Sequence, residues 1–143
     1  MITKAMQKAF DLAKERSWEK TYWAFDIHET IIIPNYKYGD IPTEFYPFAK
    51  EVMQTISNRE DICLIMYTCS HPNEIKEYLK LFEENGIKFE YINRNPEVQS
   101  EGYGYYEDKL YFNVLFEDKT GFDANNDWIN VKNKLAENPQ RVY

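Results

Sequence analysis

At 143 residues, 43% hydrophobic and 29% charged, the chain has the size and balance of one soluble globular domain with a buried core, not of a disordered polypeptide. A net charge of −7 and a pI near 4.9 argue against a nucleic-acid partner, whose phosphates need clustered Lys and Arg. Two cysteines supply neither a disulfide framework nor a four-ligand zinc site, and no apolar run approaches the about 18 residues that cross a bilayer, so no membrane is expected.

Residues 3–17 place Ala5, Met6, Ala9, Phe10 and Ala13 at helical spacing, which predicts an amphipathic helix with Thr3 as a candidate cap. The first 20 residues are mixed and charged throughout, unlike a secretory signal, and the cytoplasm is the expected compartment. Residues 21–27 predict a first strand. Residues 31–45 are broken by Pro34, Gly39 and Pro42 into a short hairpin or flap. A helix is predicted over 46–57, with Phe48, Val52, Met53 and Ile56 on one side.

The six consecutive apolar or aromatic residues from Ile62 to Tyr67 fit a strand covered on both faces, as in a parallel sheet. Ser70 is placed to cap a helix that starts near Pro72 and stops at Gly86. A third strand follows at 87–93, an irregular loop at 94–108 containing the Tyr-rich piece 103–106, a fourth strand at 110–116 and a closing helix at 124–137 with Trp128, Val131 and Leu135 inward. Strands alternating with helices predict one α/β domain over 1–143: a three-layer sandwich with a mostly parallel, Rossmann-like sheet and helices on both faces.

Three of the predicted strands end in polar residues. The first ends at Asp26, His28 and Thr30, the second at Thr68 and Ser70, and the fourth at Glu117, Asp118 and Lys119. Lys109 stands at the start of the fourth strand or in the loop before it. Parallel strands deliver their carboxyl ends to one edge of the sheet, so these clusters are expected to converge there. Carboxylates gathered with a hydroxyl and an ammonium suit Mg²⁺, which takes oxygen ligands, keeps several waters and holds a phosphate. One metal ion and one lysine are enough to outweigh the acidic field locally for a phosphorylated substrate.

This order of residues resembles the haloacid dehalogenase (HAD) superfamily of phosphohydrolases over about residues 21–123. That family's first motif is a strand ending in Asp-x-Asp-x-Thr or Val; here the segment is Asp26-Ile27-His28-Glu29-Thr30. Its second motif, a strand ending in Thr or Ser, is matched by Thr68; its lysine motif is matched best by Lys109; its final acidic pair is matched by Glu117-Asp118. The resemblance implies that Asp26 is the nucleophile, forming an aspartyl-phosphate, and also a Mg²⁺ ligand. It further implies that the His28 carbonyl and Asp118 are ligands, with Glu117 beside them directly or through water. Thr68 would hydrogen-bond the phosphoryl oxygens, and Lys109 would offset the negative charge. Asp123 is either a further acidic partner or a helix cap.

The short spans from Thr30 to Thr68 and from Thr68 to Lys109 leave no room for the cap domain that many family members carry. A capless site is open, which suits large or macromolecular phosphorylated substrates or needs a partner subunit as a lid; the expected partner is a small phosphorylated substrate or a phosphorylated macromolecule. One departure stands out: the phosphatase branch has a second Asp, as acid and base, where this chain has His28. Histidine titrates near about 6.5 and is chemically able to do both jobs. The alternative is a HAD-fold binding or regulatory protein with weakened catalysis, in which His28 only packs while Asp26 holds metal. A receiver domain, which also uses Asp, Thr and Lys around Mg²⁺, places its acidic pair first; here the pair comes last.

Overall fold

The computed structural model describes residues 1–36, 39–98, 104 and 109–140. Helix α1 (Ile2–Arg16) leads into β1 (Thr21–Phe25), followed by α2 (Ala49–Ser57), β2 (Ile62–Met66), α3 (Pro72–Glu84), β3 (Tyr91–Ile92), β4 (Val114–Phe116) and α4 (Asp127–Glu137). The four strands form one all-parallel sheet in the order β3-β2-β1-β4, flanked by helices, so the α/β, Rossmann-like fold is shown. No described helix is long and apolar enough to cross a membrane.

Strand alternation explains the layers. Trp23 and Phe25 of β1, Leu64 and Met66 of β2, and Val114 and Phe116 of β4 all belong to the main core cluster, with Met6, Met53, Phe82 and Val131 from the four helices. Aromatic rings tie that core together: Phe25 stacks on Phe116 at 4.4 Å, and Phe116 lies parallel to Trp128 at 5.9 Å. The opposite face carries Tyr22, Ala24, Cys63 and Ile65. Described residues of the β3–β4 connection, 93–98 and 109–113, make contacts with it, as a right-handed return past β2 and β1 over the face away from α2 and α3 requires. The contacts agree: Glu97 accepts hydrogen bonds from the Tyr22 and Tyr91 hydroxyls and pairs with Lys20, while Asn95 Nδ2 donates to the Tyr111 carbonyl.

Several element ends and caps differ from what their patterns predict. The expected cap Thr3 lies inside the first turn of α1, whose N-cap is Met1. Helix α2 begins three residues late because Phe48 sits at φ 67, a left-handed conformation that no helix can propagate. Phe48 is accordingly 50% exposed, not inward, with Lys132 over its ring. His71, not Ser70, is the N-cap of α3. The fourth strand loses its first half to Asn113, whose side chain accepts the Tyr22 N–H at 2.7 Å in place of a ladder bond. The expected start of α4 at 124 is occupied by a turn, in which Asp123 accepts from the Asn125 and Asp127 N–H groups. Asp123 thus serves as a local turn former. The flap closes on itself where Ile32 bridges Phe45 and the Ile33 N–H donates to Glu44. The Tyr-rich piece 103–106 lies outside the described residues except for Gly104.

Candidate metal and phosphate site

In an open parallel sheet, ligands bind beyond the carboxyl ends of the strands, at the point where the strand order reverses. Here that point lies between β1 and β4. The Asp26 N–H donates to the Phe116 carbonyl at 2.9 Å, one step past β1, so the next residues of both strands emerge side by side. Asp26, Glu117 and Asp118 consequently present carboxylate oxygens within 4.8 Å of one another.

The turn after Asp26 is made by burial. Ile27, Ile31 and Ile32 are each 0% exposed, and the Ile31 and Ile32 N–H groups both bond the Ile27 carbonyl, at 2.9 and 3.0 Å. Pulling three isoleucines inward pushes His28 and Glu29 toward the cleft. Glu29 adopts φ 60 to complete the turn. Thr30 is fully buried; its carbonyl accepts the Trp128 indole N–H at 2.8 Å, tying the turn to α4, while its Oγ1 has no partner among the described residues.

Asp26 is half-buried, and its Oδ1 accepts the Ile27 N–H at 2.9 Å. Desolvation is the main reason its carboxyl is pushed from 3.8 up to about 6; Glu117 and Asp118 add to the rise, and the Ile27 N–H and Lys119 oppose it. Such a carboxylate gains most from an added cation. Three clustered hard oxygen donors with little local positive charge fit Mg²⁺.

Asp26, His28, Thr68, Glu117 and Asp118 line one cleft of about 640 Å³. Thr68 is held firmly: Asn93 accepts its N–H at 2.8 Å and donates to its carbonyl at 2.7 Å, and its hydroxyl bonds that of Ser70 at 2.8 Å. Lys109 is not brought to this cleft. It is exposed and precedes Asn113, which bonds Tyr22 at the opposite end of β1. The lysine that lines the cleft and acts on Asp26 is Lys119, directly after the acidic pair.

His28 turns toward α3, where its Nε2 lies 2.5 Å from the Tyr78 hydroxyl. Burial lowers its pKa, against the raising effect of Glu74 and Glu29. Two residues of the site went unmarked in the sequence. Tyr78 falls in the ordinary apolar pattern of α3, 50 positions from His28. Asn93, just after β3 at φ 55, had a signal, because Asn is one of few residues that adopts that conformation readily.

No known family model matches the sequence, and no curated protein matches it. Among solved structures, the chain is similar to a conserved protein of Bacteroides thetaiotaomicron, with 21% identity, a TM-score of 0.63, and coverage of 85% of this chain and 93% of that one. At that identity the likeness establishes the shared α/β fold.

Proposed function

We propose that the chain is a Mg²⁺-dependent phosphohydrolase acting on a phosphomonoester, small or carried on a macromolecule, through an aspartyl-phosphate at Asp26. The observation that carries this reading is the meeting of Asp26, Glu117 and Asp118 within 4.8 Å at the strand-order switch, in the same cleft as Thr68. Asp26, Glu117 and Asp118 would hold the metal. When bound, Mg²⁺ neutralises the clustered carboxylates and draws electron density from a phosphoryl oxygen.

The chain's own residues do the rest. The Ile27 N–H anchors Asp26 Oδ1 and so sets the rotation of the carboxylate, leaving Oδ2 to attack phosphorus. As that Asp26–phosphorus bond forms, the ester P–O bond breaks, and the leaving oxygen takes up a proton. Water then cleaves the acyl phosphate, releasing inorganic phosphate and restoring Asp26. With its backbone clamped by Asn93 and its hydroxyl bonded to that of Ser70, Thr68 would donate that hydroxyl to a phosphoryl oxygen. Lys119 supplies the nearby positive charge. A cytoplasmic location goes with this reading.

A second reading, a Mg²⁺-binding regulatory module without turnover, is favoured by one observation: His28, standing where a catalytic Asp would stand, commits its Nε2 to Tyr78. Hydrolysis of p-nitrophenyl phosphate and a panel of phosphomonoesters, with and without Mg²⁺, separates the two. Mg²⁺-dependent turnover that Asp26→Asn abolishes supports the enzyme. Mg²⁺ binding with no turnover across the panel supports the module.

A further inference from the structure

The hydrogen bond between His28 and Tyr78 joins the turn after β1 to the middle of α3, and its two ends differ sharply in surroundings. Tyr78 is 0% exposed and packs in the aromatic core against Phe82. Desolvation, helped by Glu74 and Glu77, pushes its hydroxyl up to about 12, so it keeps its proton. That proton needs an acceptor, and a buried hydroxyl cannot turn to water for one. Among the described residues, the hydrogen-bond partner of the Tyr78 hydroxyl is His28 Nε2.

A neutral imidazole has one nitrogen that accepts and one that donates, and a hydrogen bond at one nitrogen decides the role of the other. Nε2 therefore accepts from Tyr78. The proton must sit on Nδ1, which has no hydrogen-bond partner among the described residues, in a side chain that lines the cleft. The opposite assignment would place two hydrogens' worth of donors on one contact and leave the Tyr78 proton buried without an acceptor.

We propose that Tyr78 is a positioning residue that locks His28 in the Nδ1–H tautomer, so that His28 faces the cleft as a fixed hydrogen-bond donor to a substrate oxygen. The tautomer stands on geometry alone; the donor's use on the ester or phosphoryl oxygen rests on the phosphohydrolase reading. This arrangement gives His28 a different task from that of a second Asp. It offers the leaving oxygen a hydrogen bond while keeping its own proton, and has no free lone pair in the cleft with which to activate water. Water activation would then fall to another group in the cleft.

Two histidines make the test tractable. Long-range ¹H–¹⁵N correlation spectra of the ¹⁵N-labelled protein at about pH 8 report which imidazole nitrogen carries the proton, and His71→Asn assigns the pair. The expected spectrum shows His28 protonated at Nδ1. Tyr78→Phe, which deletes one oxygen from a buried ring, is expected to shift the His28 proton to Nε2 wholly or in part. A wild-type His28 protonated at Nε2 overturns the proposal whatever the variant does, and so does a tautomer unchanged in folded Tyr78→Phe. Kinetics add the functional arm: kcat is expected to fall about 10²-fold in Tyr78→Phe with KM unchanged. An unchanged kcat beside a switched tautomer removes the donor role. Failure of the phosphatase reading itself appears separately, as a wild-type protein with the Nδ1–H tautomer and no Mg²⁺-dependent turnover.

Discussion

Asp26 and Phe116 are joined by a backbone hydrogen bond of 2.9 Å, and that bond sets the electrostatics of the cleft. It carries the register of β1 and β4 one residue past the strands and so forces Asp26 against Glu117 and Asp118. Asp26 takes its proton at about 6 in the folded chain instead of 3.8. Between those values the folded chain holds a proton that the unfolded chain has released, so stability declines as pH rises through this window and stays reduced above it. Asn at this position keeps the acceptor for the Ile27 N–H and cannot ionise. In EDTA, Asp26→Asn is expected to melt higher than the wild type at pH 7.5 and level with it near pH 4. Equal melting temperatures at both pH values would show that the carboxylate is not strained.

Added Mg²⁺ should reverse that ranking. A ligand that binds only the folded chain stabilises it by RT ln(1 + [L]/Kd), about 2.7 kcal/mol at one hundred times Kd. The wild type is expected to gain in melting temperature with Mg²⁺ at pH 7.5, Glu117→Gln to gain less, and Asp26→Asn to gain little. A gain of the same size in all three would place the ion elsewhere.

What the sequence made legible was what neighbouring residues decide. The Ile62–Met66 run, the helix opening at Pro72 and the polar stop at Asp26 each depend on a few adjacent side chains. What it hid depends on partners far along the chain or on one backbone angle. The late start of α2 follows from a positive φ at Phe48 that no periodicity announces. The choice between Lys109 and Lys119 turns on Asn113, which ends the ladder beside Tyr22 and leaves Lys109 at the wrong end of β4. The partner of His28 comes from a helix whose pattern reads only as core.

That placement distinguishes the two lysines by experiment. Lys119 opposes the rise in the pKa of Asp26 and lines the cleft. Lys109 is exposed and does not line the cleft, and salt screens an exposed charge within about 10 Å. Lys119→Ala is expected to reduce kcat/KM by about tenfold, a loss of about 1.4 kcal/mol, and Lys109→Ala to leave it unchanged. The opposite pattern in steady-state kinetics would restore Lys109 as the lysine of the site.

Thr30 offers a test of stability apart from chemistry. Its residue is fully buried and its Oγ1 has no partner among the described residues, so the hydroxyl loses its water on folding without a protein bond in return. Valine has the same shape without the oxygen. Replacing an unsatisfied buried polar group with an apolar one is worth about 1–3 kcal/mol. Thr30→Val is expected to raise the urea midpoint with an unchanged m-value. A lowered midpoint would mean that the hydroxyl has a partner in solution, with a buried water the first candidate.

Asn93 does two jobs that can be separated. Its side chain clamps the backbone of Thr68 with bonds of 2.8 and 2.7 Å, and its own backbone sits at φ 55, where most residues pay a steric penalty. Asn93→Gly keeps the backbone comfortable and loses the clamp; Asn93→Ala loses both. Because the site is exposed, the two hydrogen bonds are worth about 0.5 kcal/mol each, and the left-handed alanine adds about 1 kcal/mol. Chemical denaturation should therefore rank wild type above Asn93→Gly and Asn93→Ala lowest. Phosphate affinity should group differently, since it depends on the clamp alone: both variants are expected to weaken inhibition by inorganic phosphate to a similar extent. A glycine variant that binds phosphate like the wild type would show that Thr68 is held in place by Ser70 and β2 without Asn93.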